Sequence, residues 1–158
     1  MSSFSVLMSV YYKEQALYLK EALDSIWLNQ ILKPDQIVLV EDGPLTPELY
    51  EVIDEFQKEV GNVLTLVKNE TNQGQLASMI RGLENAEGQF ISFIDSDDIL
   101  LPEYAQSHIR VHMETSVAFT SCQIVEIGEN DEVHTMNSNG CPHCDNLDSL
   151  FASEKINF

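Results

Sequence analysis

Gln89-Phe-Ile-Ser-Phe-Ile-Asp95-Ser-Asp97-Asp98-Ile-Leu-Leu101 runs a short apolar, β-prone segment directly into three carboxylates. A buried strand therefore ends on concentrated negative charge. Like-charged carboxylates side by side raise one another's pKa, so the cluster calls for a cationic partner. All-oxygen ligands suit Mg²⁺ or Mn²⁺, which one or two carboxylates usually hold while substrate phosphates complete the shell. The competing reading is a solvated loop that caps the next helix, with Asp98 or a neighbour as N-cap and Pro102 near the first turn.

Similar strand endings recur upstream. Phe4 to Val10 is a near-continuous apolar run, as expected of a strand covered on both faces, and it leads into Tyr11, Tyr12 and Glu14. Gln36 to Glu41 is a second such run and ends at Glu41, Asp42 and the turn Gly43-Pro44. Between them, Leu19, Ala22, Leu23, Ile26 and Trp27 recur at helical spacing, which predicts a helix over Glu14 to Asn29. Thr46 and Pro47 predict a helix start and Gly61 its end, with Leu49, Val52, Ile53, Phe56 and Val60 inward. Val63 to Lys68 reads as a third strand, and Gln75 to Asn85 as a helix with Leu76, Met79, Ile80 and Leu83 inward. The opening stretch is the fourth strand. After it a helix from Pro102 to about Glu114 and strands over Val117 to Ile127 and Glu132 to Met136 are expected.

Strands alternating with helices predict an α/β domain with a mainly parallel sheet, over residues 1–136. Residues 137–158 read as a polar tail, with one short amphipathic helix suggested by Leu147, Leu150 and Phe151. Ligands of such sheets bind beyond the carboxyl ends of the strands. With strand order 3-2-1-4, the acidic and aromatic endings of strands one, two and four line one crevice. That convergence favours the metal reading over the helix cap.

Composition narrows the partners. With 158 residues, 44% of them hydrophobic, the chain can build a real core. Its 26 acidic and 8 basic residues, a net charge of −18, argue against a nucleic-acid or anionic-membrane surface. No run reaches the length of a membrane span, and Met1-Ser-Ser-Phe4 lacks the features of a signal peptide, so a cytoplasmic location is expected. No Gly-x-Gly-x-x-Gly follows the first strand and no P-loop occurs, so metal must hold any phosphate. Asp42, an acceptor when ionised, suits an imide N–H or ribose hydroxyls, and Tyr11 can flank a base.

Taken together, Ser5-Val-Leu-Met-Ser9-Val-Tyr11-Tyr12-Lys13-Glu14, Val38-Leu-Val-Glu41-Asp42-Gly43, Asn72-Gln-Gly74 and Asp95-Ser96-Asp97-Asp98 resemble, in spacing and order, the motifs of the family 2 glycosyltransferases. The resemblance covers about residues 4 to 112. It implies the GT-A fold, a Rossmann-like three-layer α/β/α arrangement with a mainly parallel sheet and a 3-2-1-4 core. It also implies a nucleotide-diphosphate sugar donor of the UDP or GDP type and a glycan or lipid-linked acceptor. Ser9 is then a donor-site residue, with Tyr11, Glu14 and Asp42 toward the nucleoside and Asp95 and Ser96 toward ribose and phosphate. Mn²⁺ or Mg²⁺ falls to Asp95 and Asp97. Ser9 and Tyr12 stand where the family commonly has proline and asparagine, and Met79-Ile80 where it has Arg-Asn, with Arg81 nearby.

No general base is assigned, because Glu126, Asp131 and Glu132 fall in an expected solvated hairpin. A nucleotide-sugar-binding domain without catalysis, or Mg²⁺-dependent phosphoryl or nucleotidyl transfer, are the alternatives. Cys141-Pro-His-Cys144 has Cys-x-x-Cys spacing but lacks the strand-to-helix context of a redox pair, and a zinc site would need two further ligands. It reads as a loop with incidental cysteines. His108 and His112 read as part of a helix face.

Overall fold

The computed structural model describes residues 3–115, 117–122, 124–127 and 133–135. The chain divides into two compact units, Met1–Ile109 and Arg110–Phe158. The expected boundary at 136/137, the tail helix and the Cys141–Cys144 pair lie outside the described residues.

In the first unit, β1 (Phe4–Val10), β2 (Gln36–Glu41), β3 (Leu64–Lys68) and β4 (Phe90–Phe93) form one sheet in the order β3-β2-β1-β4. All three pairings are parallel, with Leu7 facing Val38 on one side and Phe93 on the other. Successive residues of a strand point to opposite faces, and here both faces are covered. Phe4, Val6, Met8 and Val10 join Ile37 and Leu39 in a core with α1 (Ala16–Trp27) and α2 (Pro47–Val60). Leu7, Val38 and Val40 pack on the other face with Met79 of α3 (Gln75–Leu83). Double coverage explains why β1 and β2 read as unbroken apolar runs.

The helix boundaries have local causes. Thr46 caps α2 by accepting from the Leu49 N–H, Pro47 occupies its first turn, and Gly61 ends it at φ 60°. A 3₁₀ turn over Gly61–Val63 takes up the first residue expected of β3. Helix α1 begins at Ala16, later than expected, because the Glu14 N–H closes a turn onto the Tyr11 carbonyl at 3.0 Å.

The inward face of α3 differs from the sequence reading. Leu76, Ile80 and Leu83 are exposed, and the buried positions are Ser78 and Gly82. Helix and sheet approach too closely for large side chains: a Cβ at Gly82 would lie 2.2 Å from Leu7 Cδ1 and 2.9 Å from Val40 Cγ2. Only Met79 belongs to both stripes. Gly82→Ala is expected to cost about 1–3 kcal/mol through overpacking, because the two side chains it meets can shift in part. Urea unfolding with an unchanged slope would check this.

Helix α4 (Tyr104–Glu114) follows the acidic loop. Described by itself, the second unit carries a short antiparallel hairpin, β5 (Val125–Ile127) and β6 (Val133–Thr135), within the two expected strands.

Candidate active site

Every element needed for a site ends at the carboxyl edge of the parallel sheet. Tyr11 and Tyr12 stand exposed just past β1, their rings 5.9 Å apart edge to face. Ser9 is half-buried within β1, opposite Val40. Glu14 reaches across to the acidic loop, where its Oε2 accepts from the Ser96 hydroxyl at 2.6 Å. Its Oε1 accepts from the Gln15 N–H at 2.8 Å, so both oxygens are engaged.

The two carboxylates at the end of β2 do different work. Glu41 is 2% exposed and lies opposite Lys68 of β3, with Oε1 3.0 Å from the Lys68 amine. That contact raises the lysine above its ordinary pKa. Asp42, the next residue, turns the other way. It is 4% exposed, and its Oδ1 accepts from the Gln73 N–H at 2.7 Å and the Asn69 amide at 3.1 Å. Its Oδ2 accepts from the Gly74 N–H at 3.0 Å, and its carbonyl from the Asn72 amide at 3.3 Å. Burial pushes the Asp42 carboxyl up, but the donors from Gln73, Asn69, Ser78 and Gly74 outweigh burial and hold it below the usual range. Each carboxylate oxygen has two acceptor positions, so these four donors leave a ligand a position only where it displaces one of them.

On the β4 side, Ile94 is the last core residue, and its N–H still bonds to Leu7 at 3.1 Å. Asp95 and Asp97 are exposed while Ser96 is buried. The Gln75 amide donates to Asp95 Oδ1 at 2.7 Å, joining the start of α3 to the acidic loop. Asp98 is half-buried, and burial first, then the charges of Asp95 and Asp97, push its carboxyl up. The helix-cap reading fails, because α4 begins only at Tyr104, whose N–H closes a turn onto Leu101.

The residues present fit a hard divalent cation of the Mg²⁺ or Mn²⁺ type. The donors are all oxygens, Asp95 and Asp97 are exposed with only Asp95 Oδ1 taken by Gln75, and the carboxylates crowd one another. Among the described residues no group of three or more His, Cys, Asp or Glu is placed to hold a metal ion by itself, so exogenous oxygens would have to supply most of the shell. His108 lies against Tyr104, with ring centroids 4.4 Å apart, and His112 Nδ1 lies 3.0 Å from the Val117 carbonyl oxygen.

Sequence reasoning noted Arg81 and quoted Gln73 within a motif, but missed the scaffold that they form with Asn69, Gln75 and Ser78 behind these residues. No sequence signal placed Ser78 inward, since the expected face of α3 was a different one. Arg81 sends its Nη1 to Asn69 Oδ1 at 2.8 Å.

A glycosyltransferase of Haemophilus influenzae with no assigned function is 38% identical over 130 residues, covering 80% of this chain and 47% of that protein. An Escherichia coli UDP-Gal:alpha-D-GlcNAc-diphosphoundecaprenol beta-1,3-galactosyltransferase is 39% identical over 97 residues, covering 61% of this chain and 34% of that protein. The chain thus spans less than half the length of these two relatives. Among solved structures, S. aureus TarS residues 1–349 in complex with UDP-GlcNAc aligns with a TM-score of 0.63 at 24% identity, covering 80% of this chain and 38% of that one. The sheet order and this likeness make the fold GT-A. The family description "Glycosyl transferase family 2" matches residues 5–155, and on that match the chain belongs to glycosyl transferase family 2.

Proposed function

We propose that this domain binds a nucleotide-diphosphate sugar across the carboxyl edge of the sheet and serves its transfer to a hydroxyl of a glycan or lipid-linked acceptor. The observation that carries the reading is the joining of three strand ends by side chains: Glu14 to Ser96, Asp42 to Gly74, and Gln75 to Asp95. The names of similar proteins support the donor class. The E. coli relative is named for UDP-Gal, TarS was solved with UDP-GlcNAc, and a Pyrobaculum calidifontis mannosyltransferase of TM-score 0.54 with GDP-Man and Mn²⁺.

In this reading Tyr11 flanks the base. Asp42 offers a ligand a position only by giving up one of its four donors, which suits a single imide N–H better than the two hydroxyls of a ribose. Asp95 and Asp97 would hold the cation, whose contribution would be to neutralise charge on the departing diphosphate. Ser96, anchored by Glu14, fixes the loop that presents them. The acceptor oxygen forms its bond to the anomeric carbon as the bond to the diphosphate oxygen breaks, the electron pair leaving with the diphosphate and the hydroxyl proton passing to water. A single displacement of this kind inverts the anomeric centre.

Calorimetric titration with UDP and GDP tests the reading. One of the two is expected to bind at least about tenfold more tightly with Mn²⁺ than with chelator, the diphosphate itself supplying part of the metal shell. Absence of binding to both nucleotides in the presence of Mn²⁺ would overturn it. Release of free nucleotide from the matching sugar donor, even by hydrolysis, separates a catalytic domain from one that only binds.

A further inference from the structure

Asn69 is a buried amide with both ends engaged. It is 6% exposed; its Oδ1 accepts from Arg81 Nη1 at 2.8 Å, and its Nδ2 donates to Asp42 Oδ1 at 3.1 Å and Ser78 Oγ at 2.9 Å. The orientation of such an amide decides the sign of its interaction with Asp42. Presenting Nδ2 attracts the carboxylate, whereas presenting Oδ1 would set acceptor against acceptor. Ser78 favours this orientation only while its proton goes to Asp42, since a free hydroxyl both donates and accepts. Arg81 fixes it outright, since a guanidinium only donates and therefore demands the carbonyl end.

The arginine could be explained more simply. It lies in the last turn of α3, where any cation complements the helix dipole. That role needs charge alone, not a bond that leaves the helix for the residue following β3. Lys68, next in sequence to Asn69, is paired with the buried Glu41.

We infer that Arg81 and Asn69 are positioning residues for the nucleoside end of the site: Arg81 fixes the Asn69 amide, and Asn69 fixes the Asp42 carboxylate that holds the Gln73 and Gly74 backbone. Through Gly74 the relay also sets Gln75, whose amide holds Asp95, so one chain of bonds runs from α3 to both ends of the crevice. The functional part of this inference rests on the nucleotide-binding reading; the relay itself does not.

Arg81→Met and Asn69→Asp test it, with Arg81→Lys as the conservative variant. Three quantities are read: titration of the Asp42 carboxyl by NMR, Kd for UDP and GDP with Mn²⁺, and Tm. In Arg81→Met the Asp42 carboxyl should titrate at higher pH than in the unaltered chain, and Kd should rise roughly tenfold, the loss of one hydrogen bond to a charged group. Asn69→Asp should move both further, although it leaves the helix charge intact, and Arg81→Lys should recover part of the loss. An Arg81→Met protein with unaltered Asp42 titration and Kd would overturn the relay. So would variants that lower only Tm. If the unaltered chain binds neither nucleotide, the proposed function falls, and the Asp42 titration alone still decides for or against the relay.

Discussion

Asp97→Ala is expected to weaken Mn²⁺-dependent binding of the cognate nucleoside diphosphate by about a hundredfold or more, with little change in Tm. The reason is the small number of protein ligands. Cations of this type take one or two carboxylates and complete their shell from phosphate and water, so losing one of two removes half of the protein's share. Lost supporting groups around a metal site already cost about 10–100-fold in affinity, and a direct ligand should cost at least as much. Stability should hold because Asp97 is exposed and its charge raises the pKa of Asp98. Removing one of three crowded carboxylates relieves repulsion. Titration of Mn²⁺ and nucleotide by calorimetry and paramagnetic resonance would check both halves. An Asp97→Ala protein with full metal-dependent affinity would place the cation elsewhere.

Gly43→Ala is expected to cost about 3 kcal/mol of stability and to weaken nucleotide binding as well. Gly43 has φ 86°, a region that costs an L-residue roughly 1–2 kcal/mol. In addition, a Cβ there would lie 2.6 Å from the Asn72 nitrogen and 3.1 Å from the Thr71 carbonyl carbon. These are backbone atoms, so relief requires moving the whole loop, at a further cost of about 1–3 kcal/mol. The loop in question donates two N–H groups to Asp42. Urea unfolding would give the stability loss. Comparing Kd for UDP and GDP would show the displaced loop, and an alanine variant as stable and as tight as the unaltered chain would contradict the close packing.

How far the sequence reveals this molecule depends on the kind of residue. Strands β1 and β2 were legible to the residue because burial on both faces leaves an unbroken apolar run, and α2 because Thr46, Pro47 and Gly61 mark its ends chemically. The face of α3 was not legible. Its large apolar residues form a helical stripe, but the sheet lies too near to admit them, and that distance is a property of Leu7 and Val40 rather than of α3. The acidic ends were legible as clusters and not as roles. Glu41 and Asp42 are adjacent and chemically alike, yet alternation along the strand gives one a lysine and the other a loop. Asn69 and Arg81 are ordinary surface types whose meeting is set by the β3 to α3 crossover, so nothing local announces their bond.

The bonds on Asp42 also bear on engineering. A residue that serves both as a recognition point and as the peg for its own loop is a poor target for altering donor preference. Substitutions there would change selectivity and fold together, and a screen would score them alike as losses. Variation at Tyr11 and Tyr12, which stand exposed beside the crevice and whose side chains do not anchor that loop, offers a separate handle on specificity.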